Sequence, residues 1–143
     1  MGTRADFYIG RGMDAKWVGS IAWDGYPEGI QPKNGRFQKG RHLFDATSEK
    51  LFTKRLGKFF DGRNDVSRPS DGWPWPWEDS RTTDYAYALD EGKVWASCFG
   101  GEWFDPHDEE PESDSKVAVF PNMKSMQRVT LGQRSGLIVI GTR

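Results

Sequence analysis

Residues 82–100, "TTDYAYALDEGKVWASCFG", predict a β-hairpin, and this hairpin decides the fold class. Two runs of aromatic and small apolar residues flank Glu91 and Gly92, and a two-residue turn of this kind joins antiparallel strands. Apolar or small residues then lie on both faces of both strands, so we expect the hairpin in the middle of a sheet and not at its edge. The predicted facing pairs are Leu89 with Val94, Tyr87 with Ala96, Tyr85 with Cys98, Ala88 with Trp95, Ala86 with Ser97, and Asp84 with Phe99.

A second antiparallel hairpin is predicted near the start of the chain. Residues 5–10 and 16–26 are typical of strands, and Gly19 leaves room for a neighbouring ring or backbone to come close. Between them, "GRGMDA" (10–15) has the spacing of a dinucleotide-binding turn, but a strand follows where that motif needs a helix. What remains is a tight turn in which the guanidinium of Arg11 could meet an anion.

One amphipathic helix is predicted at 47–61, with Asp45 or Thr47 as its cap and Gly62 in the left-handed position after its end. Its apolar stripe packs on a sheet. Its outer face carries a ridge of lysines spaced by four, Lys50, Lys54 and Lys58. We interpret the ridge as a solvated face; the alternative is an electrostatic contact with nucleic acid or an acidic protein.

Two apolar runs of strand length follow, "KVAVFP" (116–121) and "SGLIVIG" (135–141). We therefore predict an α+β fold: a mainly antiparallel sheet of about five or six strands, with the helix packed across one face. The chain is expected to form a single domain over 1–143. Its loops are expected at 27–45, 62–81 and 100–115.

The composition limits the kind of chemistry and the compartment. With 7 Trp, 4 Tyr and 9 Phe among 143 residues, the core is expected to be aromatic rather than aliphatic. A lone Cys98 cannot form an internal disulfide, and with only two histidines a structural zinc site is not expected. Cys98 is interpreted as a small core residue. No signal peptide and no membrane span are predicted, so we expect a soluble, cytoplasmic protein.

Charge is strongly segregated along the chain although the net charge is only −1. Residues 33–64 hold 9 basic and 3 acidic groups, and residues 65–115 hold 3 basic and 14 acidic groups. Either the two segments neutralise each other within the fold, or opposite faces meet charged partners. The sequence leaves both alternatives open.

The stretch "DGWPWPWEDS" (71–80) places tryptophans at alternate positions, separated by prolines. Proline restricts both its own backbone and the preceding residue, so this segment is stiff and its rings keep fixed directions. One interpretation is a lid that folds back over the sheet and completes an aromatic core. The other is a platform on which a base, a sugar or a partner side chain stacks, with Arg81 or Arg68 nearby. The tryptophans concerned are Trp73, Trp75 and Trp77.

Residues that could carry catalysis are scattered. His42 lies in a basic loop and His107 in an acidic one, and we interpret both as surface residues. Asp79 and Asp84 lie close to Arg81 in the sequence and could line a polar pocket, although carboxylates beside an arginine are mostly structural pairs. We therefore favour a protein that is not an enzyme and predict no catalytic residue, metal site or cofactor.

Two stretches, "GSIAWDGYPEGI" (19–30) and "DGWPWPWEDSRTTDYAYAL" (71–89), resemble small proteins of unknown function encoded by bacteriophages and prophages. The likeness spans most of the chain but contains no motif of known function, so it transfers no catalytic or binding residue. Phage proteins of this size without catalytic signatures are often antagonists of bacterial immunity. The resemblance implies that context at the level of class alone.

Three hypotheses follow. The first is a non-enzymatic inhibitor that occupies a host protein surface, as anti-CRISPR proteins do. The second is a protein that sequesters a small nucleotide immune signal, and the third is a small enzyme acting on a nucleotide or phosphoester. Direct DNA binding is less favoured, and exposed aromatic loops would also fit a homodimer.

Overall fold

The computed structural model describes residues 2–31 and 42–107, which form a five-stranded sheet with a helix packed on one face. The strands are β1 (Ala5–Ile9), β2 (Lys16–Ile21), β3 (Val66–Ser67), β4 (Tyr85–Asp90) and β5 (Lys93–Cys98). The helices are α1 (Pro27–Ile30) and α2 (Glu49–Phe60), and short 3-10 turns lie at Leu43–Asp45, Pro69–Asp71 and Ser80–Thr82. The predicted strands at 116–121 and 135–141 lie outside the described residues, as do parts of the predicted loops 27–45 and 100–115.

The predicted α+β fold is confirmed, and the sheet is mixed rather than wholly antiparallel. Its strand order is β3-β2-β1-β4-β5, and every neighbouring pair is antiparallel except β1 with β4. A parallel pair needs a long crossover connection. Here the crossover is the chain between β2 and β4. It contains both helices and residues 71–80, which we call the tryptophan-proline segment.

The hairpin of β4 and β5 has the predicted register, from Tyr85 opposite Cys98 to Leu89 opposite Val94. Within the described part of the chain, however, β5 is the last strand of the sheet. Among residues 2–31 and 42–107, the outer side of β5 forms a single isolated bridge, between Ala96 and Phe104. Apolar residues on both faces of a strand show that both faces are covered; they do not show that both edges are paired.

Strand β2 ends earlier than predicted, at Ile21 rather than at residue 26. The carboxylate of Asp65 accepts hydrogen bonds from the backbone N–H groups of Ala22 (3.0 Å) and Trp23 (3.1 Å). Asp24 then adopts a left-handed backbone with φ of 60°. These contacts turn the chain away from the sheet.

Helix α2 covers one face of the sheet through Phe52, Leu56 and Phe60, all buried in the main core. Its N-cap is Ser48, whose Oγ accepts a hydrogen bond from the N–H of Leu51 (3.2 Å), so neither predicted cap residue is used. After the helix, Gly62 has a φ of 80°, in the left-handed region as predicted.

Gly19 brings the helix close to the sheet. A Cβ atom at this position would lie 2.6 Å from Cε2 of Phe60 and 2.7 Å from its Cζ, which is shorter than real Cβ contacts allow. The prediction that a ring approaches Gly19 is therefore confirmed, and the ring belongs to the last residue of α2. Phe60 also packs edge-on against Phe7 of β1, with ring centroids 5.7 Å apart.

We predict that Gly19→Ala lowers the free energy of unfolding by about 1–3 kcal/mol, because the added methyl group displaces the Phe60 ring from a packed core. Gly57→Ala is the matched control, since a Cβ at this helical position meets no atom within 4 Å. It should raise the free energy of unfolding by about 1 kcal/mol through helix propensity. Urea unfolding followed by circular dichroism measures both, and equal effects of the two variants would contradict the packing argument.

Candidate functional site

The face of the sheet opposite α2, which we call the second face, has a buried carboxylate at its centre. Asp6 of β1 is completely buried, and its Oδ1 accepts hydrogen bonds from Ser20 Oγ (2.5 Å) and Trp75 Nε1 (2.7 Å). Its Oδ2 accepts from Ser80 Oγ (2.6 Å), which also shares a 2.6 Å hydrogen bond with the hydroxyl of Tyr8. A carboxylate out of contact with water needs such donors. Asp6 therefore fastens β2, the tryptophan-proline segment and the 3-10 turn at Ser80 to the same strand.

Burial raises the pKa of Asp6, and hydrogen bonds from Ser20, Ser80, Trp75 and Thr83 oppose that rise. Burial also raises the pKa of the Tyr8 hydroxyl, and the nearby Asp6 charge adds to the effect. Asp6, Tyr8, Ser20 and Ser80 are all buried, so no substrate can reach them in this conformation. The hydrogen bonds to Asp6 therefore position Trp75 and the 3-10 turn at Ser80 on the sheet.

The tryptophan-proline segment lies over this second face. Its three indole rings are half-buried, and each indole N–H has an internal acceptor. Trp73 Nε1 donates to the carbonyl oxygen of Trp77 (2.7 Å), and Trp77 Nε1 donates to the Thr83 hydroxyl (2.7 Å). Trp73 also packs edge-on against Trp17 of β2, at 5.3 Å between centroids. This placement agrees with the lid interpretation, while the ring area left accessible keeps the platform interpretation open.

Trp75 and Trp77 form a stacked pair at one end of the sheet, with centroids 5.6 Å apart and planes 18° apart. The guanidinium of Arg4 lies over both rings, 5.7 Å and 5.4 Å from their centroids. Asp84 fixes Arg4 by accepting from its backbone N–H (2.9 Å) and from Nη1 (3.4 Å). The Asp84 carbonyl accepts from the N–H of Phe99 (2.7 Å), which places the backbone of Phe99 at the same end. We call Arg4, Trp75, Trp77, Asp84 and Phe99 the end surface.

Phe99 sits in a tight turn that does not suit its side chain. Its φ is 50° and that of Gly100 is 78°, and the N–H of Gly101 bonds to the carbonyl of Cys98 (2.9 Å). Two central residues with positive φ define a type I′ turn, which favours Asn, Asp or Gly in the first position. A bulky residue there is a conformational outlier. The side chain gains little burial in return, since Phe99 is 62% exposed.

The arginines at and beside the end surface are paired with carboxylates. Arg81 borders the turn at Gly100, and its Nε and Nη2 contact the buried carboxylate of Asp79 at 3.1 Å and 2.7 Å. The Asp79 hydrogen bond raises the pKa of the Arg81 guanidinium. Arg4 Nη1 contacts Asp84 Oδ2 at 3.4 Å. Among the described residues, these two ion pairs contribute no net charge to this end of the sheet.

The other predicted residues lie elsewhere. Arg11 is at the opposite end of β1, where it forms ion pairs with Asp90 and Glu91 (3.0 Å each) and lies 4.1 Å from the ring centroid of Trp95. The predicted lysine ridge is exposed along α2, at Lys50, Lys54 and Lys58. The structure therefore brings together Trp75, Trp77 and, at the border, Arg81, and separates them from Arg11 and the ridge.

Sequence reasoning missed Arg4, Asp6 and Phe99. Arg4 and Asp6 gave no local signal, because Asp84 lies 80 residues from Arg4, and Ser20, Trp75 and Ser80 lie 14, 69 and 74 residues from Asp6. Phe99 did leave a signal: a Phe-Gly pair directly after a strand occupies the place where Asn-Gly would mark a turn.

The sequence matches no protein-family model, no curated protein and no solved structure. Within residues 2–31 and 42–107, no helix has the length and apolar character needed to cross a membrane.

We predict that Asp6→Ala lowers the free energy of unfolding by about 3 kcal/mol, because the buried hydroxyls of Ser20 and Ser80 and the half-buried indole N–H of Trp75 lose their acceptor, at about 1–3 kcal/mol for each buried donor. Asp6→Asn keeps an acceptor oxygen and should cost less. Because the pKa of Asp6 is raised on folding, its contribution to stability falls as pH rises from 3.8 through the folded value. The stability difference between wild type and Asp6→Asn, measured by urea unfolding at several pH values, should show this slope. A difference that stays constant with pH would contradict it.

Proposed function

We propose that this chain is a non-enzymatic binding protein of the bacteriophage type, acting in the cytoplasm of a bacterial host. In this proposal it inhibits an immune component by occupying a protein surface, as anti-CRISPR proteins do. The end surface makes the contact. The resemblance of 19–30 and 71–89 to phage and prophage proteins supplies the biological context, and the geometry supplies the binding surface.

The observation that carries the proposal is the exposed Phe99 ring on a left-handed backbone. A left-handed conformation costs an L-residue about 1–2 kcal/mol, and an exposed ring returns little of that cost through burial. Folding alone therefore favours another residue at this position. Strained residues of this kind cluster at sites of recognition, where the ring can be buried against a partner.

The neighbouring side chains have the properties of an interface centre. Tryptophan and arginine are enriched among residues that dominate binding energy, and Trp75, Trp77 and Arg4 lie in contact with one another. The indole N–H bonds to Asp6 and Thr83 hold the two rings in place before any partner arrives. A surface fixed in advance loses little conformational entropy on binding.

The pairing of the arginines favours a protein partner over a nucleotide signal. Phosphate recognition needs guanidinium groups free to form two parallel hydrogen bonds, whereas Arg81 and Arg4 already contact Asp79 and Asp84. Sequestration of a nucleotide immune signal is therefore the second candidate, supported by the stacked indoles. A small phosphoester-processing enzyme ranks third, because the carboxylates at this end are in ion pairs.

The test uses two substitutions in turns of the same class. Phe99→Asn removes the exposed ring and relieves the left-handed strain, so we expect it to stabilise the fold by about 1 kcal/mol while abolishing inhibition. Glu91→Asn is the matched control, since Glu91 has a φ of 54° and precedes Gly92 in the other turn. It relieves the same backbone strain but removes the exposed ion pair with Arg11 (3.0 Å), so it should stabilise the fold somewhat less and leave inhibition intact. Thermal unfolding measures stability, and phage plating efficiency measures inhibition.

Plating is measured in two hosts, one defended by a CRISPR system and one by a nucleotide-signalling system. Rescue of a sensitive phage in the first host, lost with Phe99→Asn alone, supports the protein-targeting function. Rescue only in the second host supports sequestration instead. Rescue in neither host, retention of rescue by Phe99→Asn, or consumption of nucleotides by trace amounts of protein overturns the proposal. Sedimentation of wild type and Phe99→Asn would show whether the same ring mediates a homodimer.

A further inference from the structure

His107 lies between two carboxylates, those of Asp105 and Asp45, and Asp45 is 62 residues away in the sequence. Its Nδ1 is 2.8 Å from Oδ1 of Asp105, and its Nε2 is 2.9 Å from Oδ1 of Asp45. Asp45 belongs to the 3-10 turn that precedes α2. The other oxygen of Asp105 contacts Nζ of Lys93 in β5 at 2.9 Å. The imidazole thus connects the turn before α2 to the segment that follows β5.

Both contacts require protonated histidine. A neutral imidazole has one N–H donor, and its other nitrogen presents a lone pair. Carboxylates accept hydrogen bonds but do not donate them when ionised. With an ionised carboxylate oxygen at hydrogen-bond distance from each ring nitrogen, both contacts are hydrogen bonds only when His107 carries two ring protons. Loss of one proton would place a lone pair against Asp45 or Asp105, and that contact becomes repulsive.

A cleft of about 310 Å³ is lined in part by the polar residues Asp45, Lys93, Asp105 and His107. Its floor is apolar and buried, consisting of Phe44, Ala46 and Val94. The Phe44 ring lies edge-on to the imidazole, with centroids 6.2 Å apart. Opening of the His107 bridge would therefore change access to apolar surface beneath it.

We propose that His107 is a pH-operated clasp beside this cleft: protonated, it links the segment of Asp105 to the turn of Asp45, and neutral, it releases Asp45, because Asp105 Oδ1 also accepts from the His107 backbone N–H (2.9 Å) and stays attached. This device goes beyond the proposed function and does not depend on it. The charged groups in contact with the imidazole among the described residues are Asp45 and Asp105; Lys93 contacts Asp105, and His42 and Arg55 lie near Asp45. For His107, the two carboxylates and Lys93, the charges sum to zero when His107 is protonated and to −1 when it is neutral.

The direction of the pKa shifts agrees with this geometry. Burial alone would lower the pKa of His107, but the hydrogen bonds to Asp105 and Asp45 outweigh it and raise the pKa above 6.5. Burial alone would raise the pKa of Asp105, but the donors of His107 and Lys93 lower it to about 2. The clasp therefore contributes fully below pH 6.5 and is lost as pH rises through the folded pKa of His107. At the acid end the contribution of Asp105 to stability is lost as pH falls from 3.8 through its folded pKa of about 2, where the carboxylate takes up a proton.

Nuclear magnetic resonance of the full chain tests the clasp, because the chain has two histidines and they should titrate on opposite sides of 6.5. Burial, opposed by Asp45 and aided by Arg55, lowers the pKa of His42, so its ring protons should titrate below 6.5. We expect the His107 ring protons to titrate above 6.5, and the backbone amides of 44–47 to shift with the same midpoint. A His107→Gln variant assigns the ring signals.

Asp45→Asn should move the His107 midpoint down towards 6.5 and uncouple the amides of 44–47 from it. The matched control is Asp61→Asn, at the exposed other end of α2, which should leave the His107 midpoint unchanged. The wild-type titration alone can overturn the proposal, so it stays testable if a variant fails to fold. A His107 midpoint at or below 6.5, or amides at 44–47 that ignore it, would show that no clasp operates.

Discussion

The arrangement of the second face depends on the Asp6 carboxylate, which has to be hydrogen-bonded because it is completely buried. Its donors come from β2, from the tryptophan-proline segment and from the 3-10 turn before β4. Satisfying one buried group thus fixes three parts of the chain relative to β1. The tryptophan rings cover the sheet in one orientation because one indole N–H must reach that carboxylate.

The parallel pairing of β1 with β4 has a similar effect at the end of the sheet. Parallel strands start at the same edge, so Arg4 and Asp84, which directly precede β1 and β4, become neighbours. The turn after β5 returns to this edge because β5 is antiparallel to β4. Three distant stretches therefore meet beside the stacked tryptophans, and the end surface is a product of topology.

The sequence predicted what local rules determine. The register of the β4–β5 hairpin followed from the Glu91-Gly92 turn and the alternation of side chains. The close approach at Gly19 followed from its missing side chain. The parallel β1 and β4 pair was not predicted, because no local pattern distinguishes it from an antiparallel neighbour. Part of the candidate site was predicted, because the prolines between the tryptophans indicated a stiff segment. Arg4 and Phe99 were not predicted, because they come to this end of the sheet through the fold and not through the local sequence.

The stacked indoles of Trp75 and Trp77 also have an optical consequence. Two aromatic chromophores with centroids 5.6 Å apart and nearly parallel planes do not absorb independently, and their transitions couple. In a chiral framework, that coupling produces paired bands of opposite sign in the ultraviolet circular dichroism spectrum. The protein therefore contains its own label-free reporter at this end of the sheet, one that responds to ångström-scale changes in ring geometry without any added dye.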